Sequence, residues 1–185
     1  MLTTNFRNSA LRVAFLVAAI VIGSAAMPAY ADGNQNAENQ KAPLQIVNQT
    51  GLKVVVQVNN SDTIPNGIGK QVLGVKNLLD QYTALGMKAG KDFEIAMVFR
   101  GDGAQFLLTD EAYDAKVKET HAKGNPSRKM IEALHQAGIQ IFECQVAMRL
   151  KGYDVNDILP FSRIVVSGIG ALVDFEKSGY LPLTP

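Results

Sequence analysis

Four short runs rich in β-branched and aromatic residues recur along this chain: LKVVVQVN (52–59), DFEIAMVF (92–99), IQIFE (139–143) and RIVVSG (163–168). Each reads as a strand, and the first is nearly continuous in apolar character, as a strand covered on both faces would be. Helical spacing fills the gaps between them. Ile68, Val72, Val75, Leu79 and Tyr82 form one stripe, widened by Leu78 and Leu85 and ended by Gly86. After the second strand, RGDGAQFLLTD turns on its glycines into a short helix. Residues 111–122 then continue as a polar helix with Tyr113 and Val117 facing inward. Pro126 and Ser127 interrupt before a helix carrying Met130, Ile131 and Leu134, which ends at Gly138. QVAMRLKG is a short helix closed by Gly152, and residues 169–178 form the last helix. YLPL (180–183) fits an edge strand, where proline is tolerated.

Strands alternating with helices imply right-handed crossovers. The expected fold is therefore α/β, a three-layer α/β/α sandwich with a mainly parallel sheet of about five strands. Such sheets place their sites outside the carboxyl ends of the strands. Here that selects three loops: 59–67, 100–104 and the one that holds Cys144.

The first 31 residues fall outside this pattern. Arg7 and Arg12 precede an unbroken apolar run at 13–22, and Ala29-Tyr30-Ala31 satisfies the small-x-small cleavage rule, so residues 1–31 read as a signal peptide. The run is short for a membrane span, and no second hydrophobic stretch follows it. A retained anchor is the competing reading. Residues 32–51 begin with DGNQNAENQK and read as a polar leader or tether, and residues 52–185 as the domain. Cleavage removes two of the 18 Lys+Arg and none of the 17 Asp+Glu, leaving a formal charge of −1. No basic field is available for nucleic acid or anionic lipid. The expected location is the periplasm, with no membrane attachment after cleavage.

Cys144 is the only cysteine. It cannot form an internal disulfide, so the fold rests on packing. Its place at a strand-to-helix junction supports two readings. Either the thiol is turned toward the free N–H groups of the following helix, which favour an anion by about 0.3–1 kcal/mol, or it is a buried structural cysteine. Glu143 opposes a thiolate through its charge, although strand alternation points it to the other side.

Other motifs carry less. GIGK (67–70) lacks the first glycine and the Ser/Thr of a phosphate-binding loop. GDGAQF (101–106) has Phe106 where a dinucleotide fingerprint needs its third glycine, so nucleotide binding is not expected. EALH (132–135) sets Glu132 and His135 one turn apart, but no second copy supplies a di-metal site. No metal or other cofactor is expected.

The order VNNSD, KNLLDQY, VFRGDGAQFLL, AGIQIFECQVAMRLKGYDVNDILP, IVVSGIGALVDFEKSGY resembles the DsrE/DsrF-like proteins of sulfur relay over residues 52–184. The resemblance implies an α/β/α domain that assembles into homo-oligomers. It also implies a catalytic cysteine that takes sulfur as a persulfide from a donor and passes it to a partner thiol. Cys144 matches that cysteine, and Gly101 and Gly103 match the G-x-G turn beside it. The family often has a histidine just before this turn, where the present chain has Arg100. The reading that follows assigns the thiolate, or a bound sulfur oxyanion, to Arg100, Gly101, Gly103 and Gln145, with Asn59 and Asn60 as lining. The sulfur donor or acceptor would be a protein or a small thiol. The alternative is a non-catalytic oligomeric module that binds a small anion or a protein partner.

Overall fold

The apolar runs pair side by side. The computed structural model describes residues 46–185, so the expected signal and most of the leader lie outside the described residues. Strands β1 (Leu52–Val58), β2 (Phe93–Phe99), β3 (Gln140–Cys144), β4 (Arg163–Val165) and β5 (Leu181–Leu183) form one sheet in the order β4-β3-β2-β1-β5. Every pairing is parallel. The long, apolar β1 and β2 are central. The two edges are three-residue strands, and Pro182 sits in one of them, where a missing N–H costs no interior ladder bond.

Parallel neighbours need crossovers, and their helices cover the sheet unequally. One face carries α1 (Lys70–Ala84), a 3-10 turn (Gly101–Leu107), α2 (Asp110–Lys116), α3 (Arg128–Gln136) and α4 (Gln145–Lys151). Val54, Val56, Ile95, Met97, Phe99 and Ile141 pack there in one core with Val72, Val75, Leu79, Phe106, Ile131 and Leu134. Full burial of such a side chain contributes about 1.5–3 kcal/mol, so this layer dominates stability. The opposite face holds Val55, Ala96, Val98 and Phe142. Among the described residues it is covered by α5 (Gly168–Lys177), whose Phe175 meets Phe142 edge-on at 5.3 Å and Tyr180 at 4.9 Å.

One expectation needs correction. The helix expected at 111–122 is α2 and stops at Lys116, with Val117 buried in extended backbone. Asp114 accepts from Gly124 N–H at 2.7 Å, and Asp110 from Asn125 N–H at 3.0 Å, which folds the next segment back as a loop. Ile46, before β1, packs against the main core. Among the described residues, no helix is long and apolar enough to cross a membrane.

Candidate functional site

Cys144 is the last residue of β3, and its side chain packs with Ala104 and Ala147 at the end of the sheet. The crossover from β4 brings the start of α5 onto it. Ser167 caps that helix, its Oγ accepting from Gly170 N–H at 3.3 Å. The next N–H, of Gly168, donates to Cys144 Sγ at 3.1 Å. The sulfur therefore sits against the N-terminus of a ten-residue helix, where unpaired N–H groups favour negative charge. This donor is not the one expected from the sequence. Cys144 occupies the N-cap position of α4, yet its side chain makes no capping bond there.

Close packing explains why residue 168 is glycine. A Cβ would lie 3.0 Å from Arg100 Cβ and 3.2 Å from Cys144 Cβ, so Gly168 packs against both residues. Arg100 follows β2, and its guanidinium is held by an Nη1 hydrogen bond to Gln57 Oε1 at 3.0 Å. Gln57 Nε2 in turn donates to Thr184 Oγ1 at 3.3 Å. The base of the Arg100 side chain thus borders the helix head that holds the thiol, while its guanidinium is held toward β1.

The remaining expected residues brace this corner. Gly103 packs on the end of β1, where a Cβ would lie 2.4 Å from Val58 O. Gly101 takes a left-handed φ of 54°, and Asp102 N–H donates to Asn59 O at 3.3 Å. Asn59 and Asn60 are tied to buried Gln71, whose Oε1 accepts both backbone N–H groups, at 2.8 and 3.2 Å. Gln145 opens α4 and is exposed. The structure therefore sets Arg100 and Cys144 on either side of Gly168 and puts the glycines and asparagines in the supporting turn. It adds Gly168, Gln57 and Gln71, which the sequence reading missed. The strand-end rule held the signal for Gly168, because the β4–α5 loop also leaves the carboxyl edge.

Glu143 points to the other face, in register with Phe99 and Ile164. It is fully buried, and among the described residues neither carboxyl oxygen has a hydrogen-bond partner. Burial pushes its pKa up to about 9. The group is neutral at pH 7, so the charge expected to oppose a thiolate at Cys144 is absent. Nearby Tyr153 is pushed up to about 12, by burial first and then by the Glu143 carboxylate.

Away from this corner, a cleft of about 720 Å³ opens between loops 61–67 and 117–126, floored by Gln105 and Tyr113. His121 lines it and reaches Asp114 Oδ1 at 3.3 Å. The Glu132–His135 pair is divided: Glu132 binds Arg128 at 2.8 Å, and His135 stacks on Phe161 at 4.7 Å. Among the described residues no group of three His, Cys, Asp or Glu is placed to hold a metal ion.

The model of the DsrE/DsrF-like family matches residues 53–185, from the first strand through Cys144 to the last residue. The chain belongs to the DsrE/DsrF-like family. Membership supports a sulfur-relay-type fold in general. Among solved structures, the ychN protein from E. coli is similar at 14% identity and a TM-score of 0.50, covering 72% of this chain and 99% of that one. MTH1491 from Methanobacterium thermoautotrophicum, a protein of unknown function, is similar at 20% identity and a TM-score of 0.49, with the same coverage. At these identities the ychN likeness speaks to the fold alone. No curated protein matches the chain.

Proposed function

We propose that this family member is an exported, periplasmic sulfur-relay protein in which Cys144 carries a persulfide. The observation behind this reading is the Gly168 N–H at 3.1 Å from Cys144 Sγ, at the head of α5 and beside Arg100. The Cys144 thiolate attacks the outer sulfur of a donor R–S–SH. A new S–S bond forms, the donor S–S bond breaks, and the electron pair leaves with R–S⁻. In the second half, an acceptor thiolate attacks the terminal sulfur and Cys144 leaves as thiolate. Sulfane sulfur is exchanged without net oxidation, so no cofactor is required. With a single cysteine in the chain, the acceptor belongs to a partner or a small thiol.

Each group has a role in this scheme. Gly168 N–H stabilises Cys144 both as nucleophile and as leaving group, as a hydrogen bond to a charged group does by roughly 1.5–3 kcal/mol. Arg100 attracts anionic donors and products. Glu143, neutral at pH 7, leaves the site free of an opposing charge. Cys144 is only 5% exposed, so transfer requires the site to open to the donor. The test is sulfur transfer from a persulfide donor to a small thiol, with Cys144→Ser in the same assay. Loss of transfer in the variant supports the reading, and full transfer overturns it.

The same low exposure favours a second reading, a non-catalytic module in which Cys144 is a core residue. The cleft would then be the binding site. Since no Lys or Arg lines it, it suits a neutral or cationic ligand better than a small anion.

A further inference from the structure

Five polar or charged residues are buried among the described residues, and their partners differ. Gln71 accepts from the N–H groups of Asn59 and Asn60, and Asn125 donates to the carbonyls of Phe106 and Leu108. Ser127 Oγ accepts from Gly69 N–H, and Glu143 is sealed in and neutral at pH 7. Gln105 is the exception. It is 8% exposed, its amide bonds to none of the described residues, and it lines the floor of the cleft of about 720 Å³. Tyr113, 3% exposed, shares that floor, and its hydroxyl is likewise unpartnered among the described residues. Neither group is sealed in, so both open on the cleft. Buried polar groups are nearly always paired, so two without partners on one floor point to a ligand that pairs them.

The walls are held in advance. A Cβ on Gly67 would lie 2.8 Å from Pro126 Cγ, so loops 61–67 and 117–126 touch there. His121 Nδ1 donates to Glu119 O at 2.6 Å, and Gly124 N–H to Asp114 Oδ1 at 2.7 Å, which fixes the second loop. The volume falls within the roughly 300–1,000 Å³ of small-molecule sites.

We propose that this cleft binds a primary ammonium compound with an aliphatic body. An ammonium group carries only donors, and it needs acceptors around it. Gln105 Oε1, the Tyr113 hydroxyl oxygen and the Glu119 carboxylate are three acceptors lining one cleft. Glu119 makes no ion pair among the described residues. Burial, and then the Glu119 charge, push the Tyr113 hydroxyl pKa up, so the carboxylate lies within electrostatic reach of that floor. No Lys or Arg lines the cleft, so an anionic ligand would meet Glu119 without a counter-charge. Ile64, Val117 and Ala122 supply an apolar wall for the alkyl stem. This ligand rests on the second reading above, which puts a binding site in the cleft, and it requires nothing of Cys144.

Nuclear magnetic resonance titration of the full chain at pH 7 with hexylammonium, 1-hexanol and hexanoate is the test. Hexylammonium should shift the amide signals of residues 61–64 and 117–125 saturably, and bind about tenfold tighter than 1-hexanol. Glu119 is exposed, so Glu119→Gln should fold normally and weaken hexylammonium about fivefold, as loss of an exposed ion pair does. Binding of 1-hexanol or hexanoate as tight as that of hexylammonium keeps the cleft as a site but overturns the ammonium assignment. No saturable shift with hexylammonium overturns it as well, and so does binding that Glu119→Gln leaves unchanged. The second reading fails by a different observation, a gain of sulfur at Cys144 from polysulfide, so the two failures are distinguishable.

Discussion

The N–H of Gly168 and the sulfur of Cys144 are 24 residues apart in sequence and 3.1 Å apart in space. The β4–α5 crossover creates this contact, and the proposed chemistry depends on it. Gly168→Ala puts a methyl group within 3.0 Å of Arg100 Cβ and 3.2 Å of Cys144 Cβ, tight enough to push the helix head off the sulfur. Persulfide formation at neutral pH should slow by about tenfold, the equivalent of 1.4 kcal/mol. Quenched-flow labelling followed by mass spectrometry measures it, and an unchanged rate contradicts the role given to this N–H.

Arg100→Ala separates charge from packing. Reaction of Cys144 with anionic thiosulfate or polysulfide should fall by about tenfold, and more at low salt than at high salt, because the lost attraction is screened. Reaction with neutral iodoacetamide should change far less. Equal losses with both reagents would mean that Arg100 acts only through its contact with Gly168.

The Glu143 carboxyl titrates near pH 9 in the folded protein and near 4.5 when unfolded. Between those values the folded state holds one more proton. Stability is therefore full below about pH 4.5 and is lost as pH rises toward 9, at about 1.4 kcal/mol per pH unit at most. Glu143→Gln removes this titration. Urea unfolding at several pH values should show a flatter profile for the variant and a gain of a few kcal/mol at pH 8. Parallel profiles would mean that the carboxyl is not buried uncharged.

Gly103→Ala places a carbon 2.4 Å from Val58 O, and neither backbone can move away without disturbing β1. A loss of about 1–3 kcal/mol is expected in urea unfolding, as for other overpacked sites. A neutral substitution would show that the turn relaxes freely.

What the sequence revealed follows the range of the forces involved. β1 was readable because Val54, Val55, Val56 and Val58 impose extended backbone and burial locally. The loop that replaces the second half of the expected helix was not, because it is held by contacts such as Asp114 with the N–H of Gly124 ten residues away. Cys144 was readable as a candidate from its strand-to-helix junction. Its hydrogen-bond donor was not, because the junction points to α4 while the fold delivers α5. Glu143 had the right orientation by alternation, but its neutrality is a consequence of tertiary burial that local sequence does not contain.

The central claim is that Cys144 accepts a sulfur atom. Intact mass of the purified protein before and after polysulfide, with a reductant control and Cys144→Ser alongside, tests it most directly. The account predicts a gain of one sulfur atom's mass that reductant reverses and the variant lacks. No gain, with the thiol also silent to alkylation until the protein is denatured, would contradict it and leave Cys144 as a core residue.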